Sequence, residues 1–168
     1  MGFRIDQLYI HDNISSSTSG ELLVQNKPQE DASSLFFIGE YDSNTNDSQR
    51  FLQQLVNRLY IRFEQNTVQN AEKFLEALLQ ELNEFIPEIL PKEKLALKKF
   101  HCLLAVGDKK RLHLSTYGRI KALLIRGGGI FDAGNADGED VNERSAIFSA
   151  TIESELKTGD KFLFCNEN

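Results

Sequence analysis

Cysteine is scarce: the 168 residues contain only Cys102 and Cys165. The two lie far apart and match no metal-ligand spacing, which excludes a cysteine-based metal site. Each sits in an apolar run, as a buried, reduced thiol does, and reduced thiols point to a cytoplasmic setting. Basic runs are also lacking. The densest stretch, Lys92 to Lys99, is interrupted by Glu93 and apolar residues, and the net charge is −6. Nucleic-acid surfaces need concentrated positive charge, so no nucleic-acid partner is expected. No apolar stretch approaches the roughly 20 residues of a membrane span. No apolar h-region follows Met1–Gly2–Phe3–Arg4, so neither a secretory leader nor membrane contact is expected of this sequence. Internal repeats and a composition break are absent too, and residues 1–168 read as one domain.

What is present is an ordinary globular balance, 40% hydrophobic and 26% charged, at a length that buries a core. Phe3 to Ile10 alternates imperfectly and reads as a strand, and the polar run Asn13 to Gly20 reads as a loop. Leu22 to Gln25 is a short strand, and Lys27 to Asp31 is a turn built on Pro28. Leu35–Phe36–Phe37–Ile38 is continuously apolar and predicts a strand buried on both faces. Phe51, Leu52, Leu55, Val56, Leu59, Tyr60 and Phe63 recur at helical spacing, with Asn46 or Asp47 as the expected cap. A second stripe, Ala71 to Ile89, predicts a helix starting near Asn66 or Thr67 and limited by Pro87 and Pro91. The short turn between them predicts antiparallel neighbours. From Phe100 onward, Phe100–Val106, Leu112–Thr116 and Ala122–Ile125 predict an antiparallel meander ending at Gly127–Gly128–Gly129. Ile147–Phe148 and Phe162–Cys165 are the last strand segments, the latter introduced by a turn at Thr158–Gly159–Asp160. Strands, paired helices and strands again define an α+β domain.

Three stretches gather residues with chemical potential. Gln29–Glu30–Asp31–Ala32 precedes an apolar strand that ends in Gly39–Glu40–Tyr41–Asp42. Tyr117–Gly118–Arg119–Ile120–Lys121 leads into a second apolar strand. Gly159–Asp160–Lys161–Phe162–Leu163–Phe164–Cys165 runs without a gap into Asn166–Glu167–Asn168. Together with the element order, these resemble the metal-dependent protein phosphatases (PPM or type 2C family) over nearly the whole chain. The resemblance implies an α/β/β/α sandwich with antiparallel sheets and a long antiparallel helix pair. It also implies that Glu30, Asp31, Glu40 or Asp42, and Glu167 stand at metal-binding positions.

Every motif departs from the family pattern. Neither Glu40 nor Asp42 is followed by the family's Gly, Arg119 stands for an Asp, and Glu167–Asn168 replaces Asp–Gly. The family's final Asp–Asn segment would lie beyond Asn168, which suggests the N-terminal part of a longer protein. Magnesium demands near-octahedral oxygen ligation, and displacing an oxygen by about an ångström costs on the order of 100-fold in rate. The resemblance therefore implies a degenerate phosphatase-like module that binds a protein partner or phosphoprotein, with no cofactor. Two alternatives stand beside it: an active Mg- or Mn-dependent phosphoserine/phosphothreonine phosphatase, and an unrelated α+β interaction domain.

Other clusters carry less. Gly127–Gly128–Gly129 lacks the Lys–Ser/Thr and helix of a phosphate loop. Asp132, Asp137, Glu139 and Asp140 lack calcium-loop spacing and read as a solvated loop. His11, His101 and His113 are scattered and read as structural or surface histidines.

Overall fold

In the computed structural model, which describes residues 18–27, 33–133, 147–148 and 151–166, the first apolar stripe becomes α1, Asn46–Gln65. Its cap is Thr45, not Asn46 or Asp47, because Ser48 completes a reciprocal pair. The Thr45 side chain accepts from the Ser48 N–H at 3.2 Å, and Ser48 Oγ accepts from the Thr45 N–H at 3.0 Å. The second stripe becomes α2, Ala71–Lys92, which starts later than expected because Asn70 is its cap, accepting from the Lys73 N–H at 2.9 Å. Pro87 and Pro91 lie inside α2 rather than ending it. Both are exposed. The helices run antiparallel: Phe63 meets Phe74 at 6.1 Å between ring centroids, Arg58 and Arg62 pair with Glu81, and Arg50 pairs with Glu93.

The strands divide into two antiparallel sheets. β1 (Ser19–Asn26), β2 (Ser34–Tyr41), β3 (Phe100–Gly107), β4 (Arg111–Tyr117) and β7 (Ile152–Glu155) form a five-stranded sheet in the order β1-β2-β3-β4-β7. β5 (Ile120–Arg126), β6 (Gly129–Asp132) and β8 (Lys161–Asn166) form a three-stranded sheet in the order β6-β5-β8. One face of the larger sheet, with Leu35, Phe37, Tyr41, Phe100 and Leu104, meets the buried stripes of α1 and α2. Its other face, with Phe36, Leu103, Ala105 and Leu114, meets Ile120, Ala122 and Leu124 of the smaller sheet. β2 and β3 are thus buried on both sides, as the continuous apolar run Leu35–Ile38 predicts for β2. The Phe36 and Phe164 rings lie 6.3 Å apart across this second core, so Leu35–Ile38 and Phe162–Cys165 face each other between the sheets.

The α+β class, the antiparallel sheets and the helix pair agree with the expectation. Both helices pack on the five-stranded sheet. Among the described residues no helix covers the outer face of the three-stranded sheet, where Ile130 and Leu163 are exposed. Several local expectations change. Phe3–Ile10 lies outside the described residues. Ser19 and Gly20 belong to β1 rather than to a loop, because they pair with Tyr41 and Glu40. The meander is broken: β5 leaves the larger sheet at Gly118–Arg119 and pairs with β6 and β8. Gly127–Gly128, both at positive φ, turn a two-residue β5–β6 hairpin. Ile147–Phe148 are buried but form no strand; β7 takes the sheet edge instead. Cys102 is fully buried, which pushes its thiol well up, whereas Cys165 is only half-buried.

The Gly159–Asp160 turn does more than reverse the chain. Asp160 accepts from Arg126 Nε at 2.8 Å and from Arg126 Nη2 at 2.5 Å, while Arg126 Nη2 also donates to the Glu155 carbonyl at 2.6 Å. The Arg126 bonds chiefly, and the Lys157 N–H, hold the Asp160 carboxyl at about 2, against the opposing effect of burial. A carboxyl depressed in the folded state stabilises the fold above its unfolded value of 3.8, and that contribution is lost as pH falls toward about 2. Asp160→Asn is expected to cost about 2 kcal/mol at neutral pH. Thermal melts of both proteins from pH 6 to pH 2 should show the gap closing in acid (on the order of these pKa values). A constant gap would mean the carboxylate charge is not what matters.

Candidate functional site

The residues at the C-terminal end of β2 are held from several sides. The Asp42 N–H donates to the Lys99 carbonyl at 2.9 Å, and the Ser43 N–H donates to the Tyr41 carbonyl at 2.7 Å. Tyr41, fully buried, bonds through its hydroxyl to the Ala96 N–H and carbonyl at 2.7 and 3.1 Å. Ser48 Oγ donates to the Ser43 carbonyl at 2.7 Å and lies 2.9 Å from Ser19 Oγ. The segment between β2 and α1 is therefore fixed by polar bonds rather than by apolar packing alone.

Asp42 projects from this segment toward the turn between β4 and β5. Its Oδ2 lies 3.2 Å from His101 Nε2, and its Oδ1 accepts from Arg119 Nη2 in a short ion pair. His101, on β3, is almost wholly buried. Its Nδ1 accepts from the Arg119 backbone N–H at 3.2 Å. An accepting Nδ1 carries no proton, so the neutral ring has its proton on Nε2 and donates it to Asp42. Gly118 closes the turn against this ring with φ +79°, and a Cβ there would stand 2.1 Å from His101 Nδ1. Four residues from three separate segments thus form one closed network.

Of the residues expected at metal positions, Glu30, Asp31 and Glu167 lie outside the described residues. Glu40 sits on β2 directly opposite His101 of β3 and Gly20 of β1, on the face that carries Phe36 and Ile38. Asp42 follows just beyond the strand. His101 was not among the expected site residues. No signal in its own neighbourhood marks it, because it reaches the site only through the β2–β3 register. Arg119 was expected as a substitution at a lost position, but its ion pair with Asp42 is a property of the fold. A separate shallow groove, lined by Glu76, Leu79, Asn83, Glu84 and Phe148, belongs to α2 and the segment before β7. There Asn83 exchanges two hydrogen bonds with the Phe148 backbone at 2.9 and 2.8 Å. It shares no residue with the Asp42 network.

No family model matches this sequence, and no curated protein sequence does. Among solved structures, the chain is similar to the catalytic domain of serine threonine protein phosphatase PstP, crystallised in complex with two manganese ions. The TM-score is 0.55 at 15% identity, covering 89% of this chain and 77% of that one. The likeness is one of fold: this domain has a PPM phosphatase-like architecture.

The PstP domain holds two manganese ions, and the described residues of this chain do not fit such a centre. They contain no group of three or more His, Cys, Asp or Glu side chains able to hold a metal ion. Both Asp42 oxygens already accept from protein donors, one of them a full positive charge. His101 offers no free lone pair: Nδ1 accepts a backbone bond and Nε2 carries the proton. Hard divalent cations need several oxygen ligands, and a guanidinium at contact distance repels them.

Proposed function

We propose that this chain is a PPM phosphatase-like domain that has lost two-metal chemistry and works as a regulatory or binding module for a protein or phosphoprotein partner. One observation carries the reading: the Asp42 carboxylate is committed to Arg119 and His101 rather than held open for a cation. In the proposal, residues 1–168 form a single domain, and the unpaired thiols are in keeping with a reducing, cytoplasmic setting. Among the described residues no helix is long and apolar enough to cross a membrane. The partner, on this reading, meets the domain from the aqueous side. The alternative is an active Mg- or Mn-dependent phosphatase, and its support is the manganese held by the PstP neighbour.

A turnover assay separates the two. With p-nitrophenyl phosphate and millimolar Mn²⁺, no metal-dependent hydrolysis is expected, and Asp31→Ala and Glu40→Ala should match the parent protein. Mn²⁺-dependent hydrolysis that either substitution abolishes would overturn the binding-module reading.

A further inference from the structure

The geometry points to Arg119 as a resident cation: its guanidinium neutralises Asp42 and thereby excludes divalent metal from the end of β2. The inference deepens the functional reading above and rests on it for why the exclusion matters. Three observations carry it. Arg119 Nη2 donates directly to Asp42 Oδ1. The Arg119 backbone cannot swing away freely, because its N–H is bonded to buried His101 Nδ1 and Gly118 packs on the same ring. His101 in turn holds the other Asp42 oxygen. One residue therefore acts twice: its main chain sets the tautomer of His101, and its side chain supplies the charge.

The guanidinium is about half exposed, as Asp42 is in part (45% and 31%), so water reaches the pair and a hydrated ion has access. What keeps a cation off is charge and occupancy rather than burial. A guanidinium is permanently protonated, so the exclusion does not depend on pH near neutrality. Arg119 is a positioning residue here, since its part in the site is the ion pair it makes with Asp42.

The test is manganese titration of the full chain, isotope-labelled, followed by paramagnetic broadening of the Asp42, His101 and Arg119 amide signals. In the parent protein these signals should broaden no more than those of other exposed carboxylates. In Arg119→Gln, broadening centred on Asp42 should appear at a roughly tenfold lower Mn²⁺ concentration, the effect of removing one adjacent like charge. Arg119→Gln/Asp42→Asn should lose it, and Arg119→Lys should behave as the parent. Arg119→Ser serves if the glutamine variant does not fold. Selective broadening in the parent protein that Asp42→Asn abolishes would overturn the inference, and so would identical behaviour of the parent and the charge-removed variants. The hydrolysis assay is independent of these signals. Turnover without Asp42-centred binding would sink the functional reading alone, and binding without turnover would sink this inference alone.

Discussion

Phe51→Ala is expected to destabilise the domain by about 4 kcal/mol, within the range for emptying a fully buried aromatic site. Phe51 lies on the buried stripe of α1 and has no solvent exposure. Its ring stands edge-on to Phe100 at 5.2 Å and to Tyr41 at 6.3 Å, and such pairs add about 1 kcal/mol beyond area burial. The site cannot collapse easily. Tyr41 is tied through its hydroxyl to Ala96, and Phe100, which opens β3, is paired with Tyr41 of β2 and stacked on the Tyr117 ring 6.2 Å away. Denaturant unfolding should show the loss as a lower midpoint at unchanged slope, and the melting temperature should fall by about 12 °C. The cavity also lies under Tyr41, one residue from Asp42, so the variant should loosen the functional end of β2. A cost below about 1 kcal/mol would mean that neighbouring helix side chains refill the space.

Gly118→Ala is expected to cost about 3 kcal/mol, and the cost has two separable parts. The positive φ of +79° disfavours any L side chain by about 1 kcal/mol. The remainder is steric: the new methyl would stand 2.1 Å from His101 Nδ1, and His101 cannot retreat while it is buried and bonded on both ring nitrogens. Gly127→Ala provides the control. Its φ of +57° imposes similar strain, but a Cβ there meets nothing within 4 Å, so only about 1 kcal/mol is expected. The difference between the two variants measures the packing of the turn on His101. Gly118→Ala should also displace the Arg119 N–H from Nδ1, which ring-nitrogen NMR shifts would report as a loss of the single Nε2–H tautomer. Equal costs for the two alanines would show that the turn is strained but not packed.

Much of the architecture was legible in the sequence because it is written in short-range periodicity. The stripes from Phe51 to Phe63 and from Ala71 to Ile89 each specify a helix with one buried face, whatever surrounds it. The short link between them leaves little choice but antiparallel packing. The unbroken apolar run at Leu35–Ile38 already requires cover on both faces. The likeness of the three charged stretches to the phosphatase pattern came from the same kind of local register.

Sequence alone did not place β5 in the second sheet, because pairing partners are long-range and alternation looks the same in either sheet. Nor did it show β6, whose Ile130 and Phe131 are exposed, or the cap at Thr45, which depends on a bond to Ser48. The decisive case is the Asp42 network. The residue types at 42, 101, 118 and 119 could be read from the start, and Arg119 could be read as a lost carboxylate. That its guanidinium meets Asp42, and that His101 is locked between them, follows from the β2–β3 register and from one glycine turn crossing between sheets. The chain by itself determined its helices, its apolar layers and where its charged stretches stand along the sequence. Tertiary structure alone decided that a cation of its own stands beside Asp42, because charges far apart in sequence interact only when the backbone brings them within contact distance.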